Sequence, residues 1–181
     1  MPLTGSEPSG HRPEAVLVYE DIARRIPHQG TMCLLERVID WDPAHIHCEA
    51  HSHTAADNPL RAYGRLGAAC GVEYAAQAMA IHGALVAEAA SGSAAGTPRA
   101  GYLASMRNVV LAVDRLDTVT GPLDIRAERV TGDDNTVLYS FTVQAGERML
   151  LSGRATVVLD ASLLGLPAVP TTQAPSSRSA P

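Results

Sequence analysis

A few positions in this chain carry groups suited to moving protons. His28 follows Pro27 and opens a loop, His28-Gln29-Gly30-Thr31. A neutral imidazole accepts a proton near pH 7. Glu73 is preceded by Ala68-Ala69-Cys70-Gly71-Val72 and followed by Tyr74-Ala75-Ala76. An unpaired carboxylate is costly to bury among such neighbours, and desolvation would raise its pKa into the range of a proton donor. Gln77 stands four residues on, on the same helical face, where it could orient Glu73 or a substrate. Gly71 and its neighbours, at the start of the same helix, could supply an amide donor to developing negative charge on oxygen. Each has a plainer alternative. His28 could be a helix-terminating cation, Glu73 could face solvent, and Gln77 could be a packing or interface residue.

The remaining histidines read differently. His51 and His53 could form a metal pair or a rival base, but two histidines in a polar stretch are expected at the surface. His45 and His47 read as residues on the wet face of a strand. His82 lies nine residues beyond Glu73, about 180° around a helix, and so should not share its site. Cys33, Cys48 and Cys70 are odd in number and widely spaced, which supports neither a disulfide framework nor a zinc site. They read as small packed hydrophobes.

Elements must hold these groups. Val18–Ile26 reads as a short helix ended by Pro27. Met32–Trp41 reads as a strand, and Asp42-Pro43-Ala44 as a turn. From Ile46 to His51, apolar and polar residues alternate as in a half-buried strand. Ser52–Gly64 is a polar connection. Leu66 to about Ala90 contains no proline and consists mostly of Gly, Ala, Val, Leu, Met and Ile, so the spacing predicts a long helix that a sheet can approach closely. Gly67, Gly71 and Gly83 make sense there if another backbone comes near. After a Gly/Ser-rich loop, Ser91–Pro98, four strands follow: about 101–116, 123–131, 137–144 and 149–159. Their hairpin-type connections favour an antiparallel meander. The order predicts an α+β hotdog fold, an antiparallel curled sheet of about six strands wrapped around a long central helix. The sheet edges of this fold usually pair across a dimer.

Composition narrows the classes. The 181 residues suit one domain at 16–164, between a disordered leader at 1–15 and a disordered tail at 165–181. With 46% hydrophobic residues but only 4% aromatics, the core must be built from small and aliphatic side chains. The net charge of −5 and scattered arginines argue against a nucleic-acid surface. No apolar run of about 18 residues suggests a membrane span. The first residues lack the order of a secretory signal, so a cytoplasmic location is expected.

Two segments carry a family resemblance. Ile26-Pro27-His28-Gln29-Gly30-Thr31-Met32-Cys33-Leu34-Leu35-Glu36-Arg37-Val38 resembles the N-terminal signature of 3-hydroxyacyl-ACP dehydratases. Gly71-Val72-Glu73-Tyr74-Ala75-Ala76-Gln77-Ala78-Met79 resembles their central-helix signature, a catalytic Glu followed four residues later by Gln. The likeness covers roughly Val16 to Leu159 and is greatest to the ApeP-like branch of aryl-polyene biosynthesis. It departs at Asn58–Leu66, where better-known members carry Gly-His-Phe-Pro and this chain has no histidine. The resemblance implies loss of water from a 3-hydroxyacyl thioester held on an acyl carrier protein, in fatty-acid, polyketide or aryl-polyene-type biosynthesis. It implies His28 as base, Glu73 as acid, Gly71 and Gln77 at the substrate, and no metal or organic cofactor. It also implies a homodimer, or a heterodimer with another hotdog chain, since the two catalytic residues often come from different subunits. Arg61, Arg65, Arg99 and Arg107 could meet the acidic carrier, although scattered solvated charge is the simpler account of each. A hotdog thioesterase using Glu73 to activate water, and a non-catalytic subunit, remain alternatives.

Overall fold

The computed structural model describes residues 15–92, 101–133 and 135–158. The leader at 1–14, most of the Gly/Ser-rich loop with Arg99, and the tail from 159 onward lie outside the described residues. Among the described residues seven strands form one antiparallel sheet: β1 (Leu17–Val18), β2 (Arg37–Trp41), β3 (His45–Ala50), β4 (Tyr102–Leu111), β5 (Leu123–Gly132), β6 (Thr136–Ala145) and β7 (Arg148–Val158). The helices are α1 (Tyr19–Ala23) and α2 (Gly71–Ser91). Short 3-10 turns stand at Gly30–Met32, Ser52–Thr54 and Ala68–Cys70.

The sheet order is β1-β2-β3-β5-β6-β7-β4, which corrects the meander expected of the last four strands. Only β5, β6 and β7 follow one another. β4 crosses to the far edge and pairs with β7, with Arg107 opposite Arg154. The connection 112–122 is no tight hairpin, despite Gly121-Pro122. Its backbone runs beside the entry to α2, with Ala68 N–H on Asp114 O at 3.1 Å and Leu116 N–H on Leu66 O at 2.9 Å. A seventh strand, the two-residue β1, caps the opposite edge against β2.

The sheet curls around α2, whose buried side chains include Tyr74, Ala75, Ala78, Met79, Ile81 and Leu85. They pack with Ile46, Cys48, Ile125, Tyr139, Phe141 and Val143 in one core. Small helix residues permit the close approach. At Gly71 a Cβ would stand 2.4 Å from Leu151 Cδ2, so the tight neighbour is a side chain of β7 and not a second backbone. Gly67 lies outside the helix and faces open space. Arg25 reaches the far end of α2 and grips Glu88 with Nε to Oε1 at 2.9 Å and Nη2 to Oε2 at 3.0 Å.

Two polar expectations are overturned. His53 is completely buried and its Nε2–H donates to Val119 O at 3.2 Å, so it is no surface residue. His47 is also buried, on the outward side of β3, because Asp124 covers it at 2.8 Å. Cys33 and Cys48 are buried thiols, as expected of packed hydrophobes, and burial pushes Cys33 up to about 11.

Candidate active site

The expected strand at Met32–Trp41 begins only at Arg37, and the reason lies in α2. Gln77 is fully buried and lends its amide to the preceding segment. Its Oε1 accepts from Leu34 N–H at 2.9 Å, and its Nε2 donates to Met32 O at 2.8 Å. A side chain thus takes the backbone groups that a neighbouring strand would otherwise satisfy. The same Nε2 donates to Glu73 Oε1 at 3.0 Å, one helical turn back. Both polar atoms of Gln77 are thus hydrogen-bonded inside the chain, and of its two expected uses this geometry displays the contact with Glu73.

Fixing Met32–Leu34 against the helix also fixes the loop before it. His28 Nε2 stands 3.1 Å from Glu73 Oε1, with side-chain exposures of 29% and 32%. The pair forms within one chain and opens to solvent. His28 Nδ1 is buried without a hydrogen-bond partner among the described residues, and of these Glu73 is the group that holds the imidazole. Both donors converge on Oε1 of the carboxylate. Burial raises the Glu73 pKa, but hydrogen bonds from His28 and Gln77, with the His28 charge, outweigh it and hold the group below its ordinary value. The carboxyl expected to be raised by burial is therefore an anion at rest.

Gly71, expected to offer a free amide, directs its N–H to Ala68 O and Ala69 O and closes the 3-10 turn that leads into α2. Its amide is engaged, and its more evident part is the close approach to Leu151.

On the other side of Glu73, Tyr74 anchors the polar connection. Ser52 Oγ lies 2.9 Å from the Tyr74 hydroxyl and donates to Leu34 O at 2.8 Å. Asn58 Nδ2 donates to the same hydroxyl at 3.0 Å and to Ser52 O at 2.9 Å. The stretch that lacks the family histidine is thus tied by Asn58 to the residue next to Glu73. Sequence reading missed Ser52, Asn58 and Tyr74; the one signal was a lone hydroxyl-bearing aromatic in an otherwise small-sided helix.

The other titratable groups lie apart. His82 Nε2–H donates to Asp42 O at 2.7 Å and its Nδ1 meets the Tyr139 hydroxyl at 2.8 Å, away from Glu73 as its helical angle requires. Glu36, Glu49 and His51 approach one another closely enough to hold a metal ion. Arg37 already pairs with Glu49 at 2.9 Å, and His51 Nδ1 lies 2.5 Å from Glu36 Oε2, so both carboxylates already have partners within the chain. A cavity of ≈ 400 Å³ lined by His45, Arg126, Glu128 and Thr142 includes neither His28 nor Glu73.

A curled antiparallel sheet around one long helix defines a hotdog protein, here with an imidazole–carboxylate pair at the first turn of that helix. The sequence model of the ApeP-like family, described as ApeP dehydratase, matches residues 20–164, and the chain belongs to that family. The structure resembles the dehydratase heterocomplex ApeI:P from Xenorhabdus doucetiae, with a TM-score of 0.67 and 22% identity over 80% of this chain and 95% of that one. It also resembles AziG of S. sahachiroi, with a TM-score of 0.50 and 14% identity over 69% of this chain and 90% of that one. At these identities the likeness establishes the hotdog fold. No match was found among curated proteins.

Proposed function

We propose that the chain dehydrates a 3-hydroxyacyl thioester, carried on an acyl carrier protein, to the trans-2-enoyl thioester, with His28 and Glu73 as its acid–base pair. The observation that carries this is the 3.1 Å contact between His28 Nε2 and Glu73 Oε1, clasped by Gln77, in a member of a dehydratase family.

The proton balance closes on this pair. With the imidazole charged and Glu73 anionic, one proton lies between Nε2 and Oε1. Its transfer to the carboxylate leaves a neutral imidazole, the base, beside a carboxylic acid. The base takes the proton from Cα, the Cα=Cβ bond forms, and the Cβ–O bond breaks. Glu73 gives its proton to the departing hydroxyl, which leaves as water. The pair returns to charged imidazole and carboxylate with no outside proton required. The low pKa of Glu73 suits the state in which each cycle starts and ends.

A second hotdog chain is part of the same proposal. Among the described residues β4 ends the sheet and exposes Leu103, Met106, Val110 and Leu111 along an edge that no other strand pairs, the kind of surface that proteins cover with a partner. No helix among the described residues is long and apolar enough to cross a membrane, and the proposed setting is the cytoplasm. Product analysis by mass spectrometry tests the reaction. A 2-enoyl thioester is expected; release of free acid and thiol would assign the site to thioester hydrolysis instead.

A further inference from the structure

The stretch just before α2 contains a residue that the fold itself does not explain. Ala62 and Arg65 exchange both backbone hydrogen bonds, Ala62 N–H to Arg65 O at 2.9 Å and Arg65 N–H to Ala62 O at 3.0 Å. The two residues between them, Tyr63 and Gly64, have φ of 53° and 71°. This is a two-residue turn with both central positions left-handed, the type that favours Asn, Asp or Gly first and Gly second. Gly64 fits it. Tyr63 does not, because a Cβ in this region crowds the following carbonyl. Nor does its ring recover that cost by packing, since Tyr63 is 102% exposed and bonds to nothing among the described residues.

The turn is also rigidly mounted. Arg61 Nη2 donates to Gly64 O and to Asp117 Oδ2, both at 3.1 Å, and Arg115 Nη2 holds the same carboxylate oxygen at 2.7 Å. Asp117 is thereby spent on two arginines, and the exposed Arg65 guanidinium has no partner among the described residues. A fully exposed aromatic ring on a braced turn, beside a cation without a partner among the described residues, on a chain of net charge −5, fits a face that is apolar at its centre and acidic around it. From Arg65 the chain leads directly through the 3-10 turn Ala68–Cys70 to Glu73.

We infer that the turn Ala62–Arg65 docks the acyl carrier, with Tyr63 as the buried anchor and Arg65 as the charge contact. This rests on the reading of the substrate as carrier-bound. It differs from a structural account of Tyr63 in predicting opposite signs for fold and function in one variant.

The test is binding of purified acyl carrier protein by calorimetry to the full chain, its Tyr63→Asn variant and its Arg65→Glu variant. Tyr63→Asn creates the favoured Asn-Gly turn and should raise the melting temperature by about 2–4 °C. Its affinity for the carrier should nevertheless fall about tenfold, as for loss of an aromatic anchor. Arg65→Glu should weaken binding further and flatten its salt dependence. Turnover of a small soluble 3-hydroxyacyl thioester should be unchanged in both. Carrier binding that is absent in the wild type, or equal in wild type and Tyr63→Asn, would overturn the inference. So would a change in oligomeric state in Tyr63→Asn, which would assign the ring to a subunit contact. Failure of the wild type to dehydrate the small thioester would instead overturn the proposed reaction while leaving the binding result readable.

Discussion

At the residue scale, Gln77 shows how one side chain can serve structure and site together. It closes the backbone of Met32 and Leu34 and steadies Glu73 in one buried cluster. Gln77→Ala leaves the Leu34 N–H and Met32 C=O without partners, which should cost about 1–3 kcal/mol in chemical denaturation. The same variant frees Glu73 from one of its two donors and should reduce turnover by more than the stability loss explains. Protonation gives a second prediction. Burial holds His53 and His82 below their ordinary 6.5, so the unfolded chain binds protons that the folded chain refuses. Their contribution to stability is complete above about pH 6.5 and is lost as pH falls through the folded values. Glu73, below its ordinary 4.5, adds a further loss only at lower pH. Denaturation midpoints should therefore fall from about pH 6.5 downward, well before carboxylates titrate. A midpoint flat to pH 5 would refute this. A pairing of His28 with Glu73 was suggested by residue type, neighbourhood and the family resemblance, but the direction of the Glu73 shift was not legible. It depends on two donors meeting one oxygen, and one of them lies 45 residues away in the chain.

Among the elements, α2 was readable from its composition and lack of proline, and the alternation in β5 and β6 from their two faces; β3, expected half-buried, is buried on both faces from Ile46 to Ala50. The boundary at Arg37 was not, because a side chain on α2 takes the bonds that a strand would make. The position of β4 was equally hidden. Gly121-Pro122 signals a turn, yet nothing local distinguishes a hairpin from a crossing that runs past the start of α2. Tight packing at that start supports a prediction. Gly71→Ala should destabilise the fold, because the overpacking against Leu151, about 1–3 kcal/mol, exceeds the helix-propensity gain of about 1 kcal/mol. In Leu151→Ala the same change at Gly71 should be neutral or better, a coupling visible in a double-mutant cycle. Additive effects would mean that the contact is relieved at no cost.

For the whole molecule, the fold class followed from element order, whereas the meeting of His28 and Glu73 within one chain did not. The resemblance implied catalytic groups shared between subunits, but His28 and Glu73 meet inside a single chain. What the single chain leaves open is its β4 edge. If that edge seats a second hotdog chain, Val110→Lys should weaken assembly in native mass spectrometry while changing the stability of the isolated chain by less than about 0.5 kcal/mol. An unchanged assembly would place the interface elsewhere.

The central claim is that His28 and Glu73 together remove water. Wild type, His28→Ala and Glu73→Gln should each be incubated with a 3-hydroxyacyl carrier protein, and enoyl product followed by mass spectrometry, with circular dichroism as the folding control. Wild type should dehydrate, and each variant should be slower by about 10²–10⁴-fold while folded. The double variant should be little worse than either single one, as for groups that act as a unit. Folded variants within twofold of wild type, or a wild type that forms no enoyl product, would contradict the account.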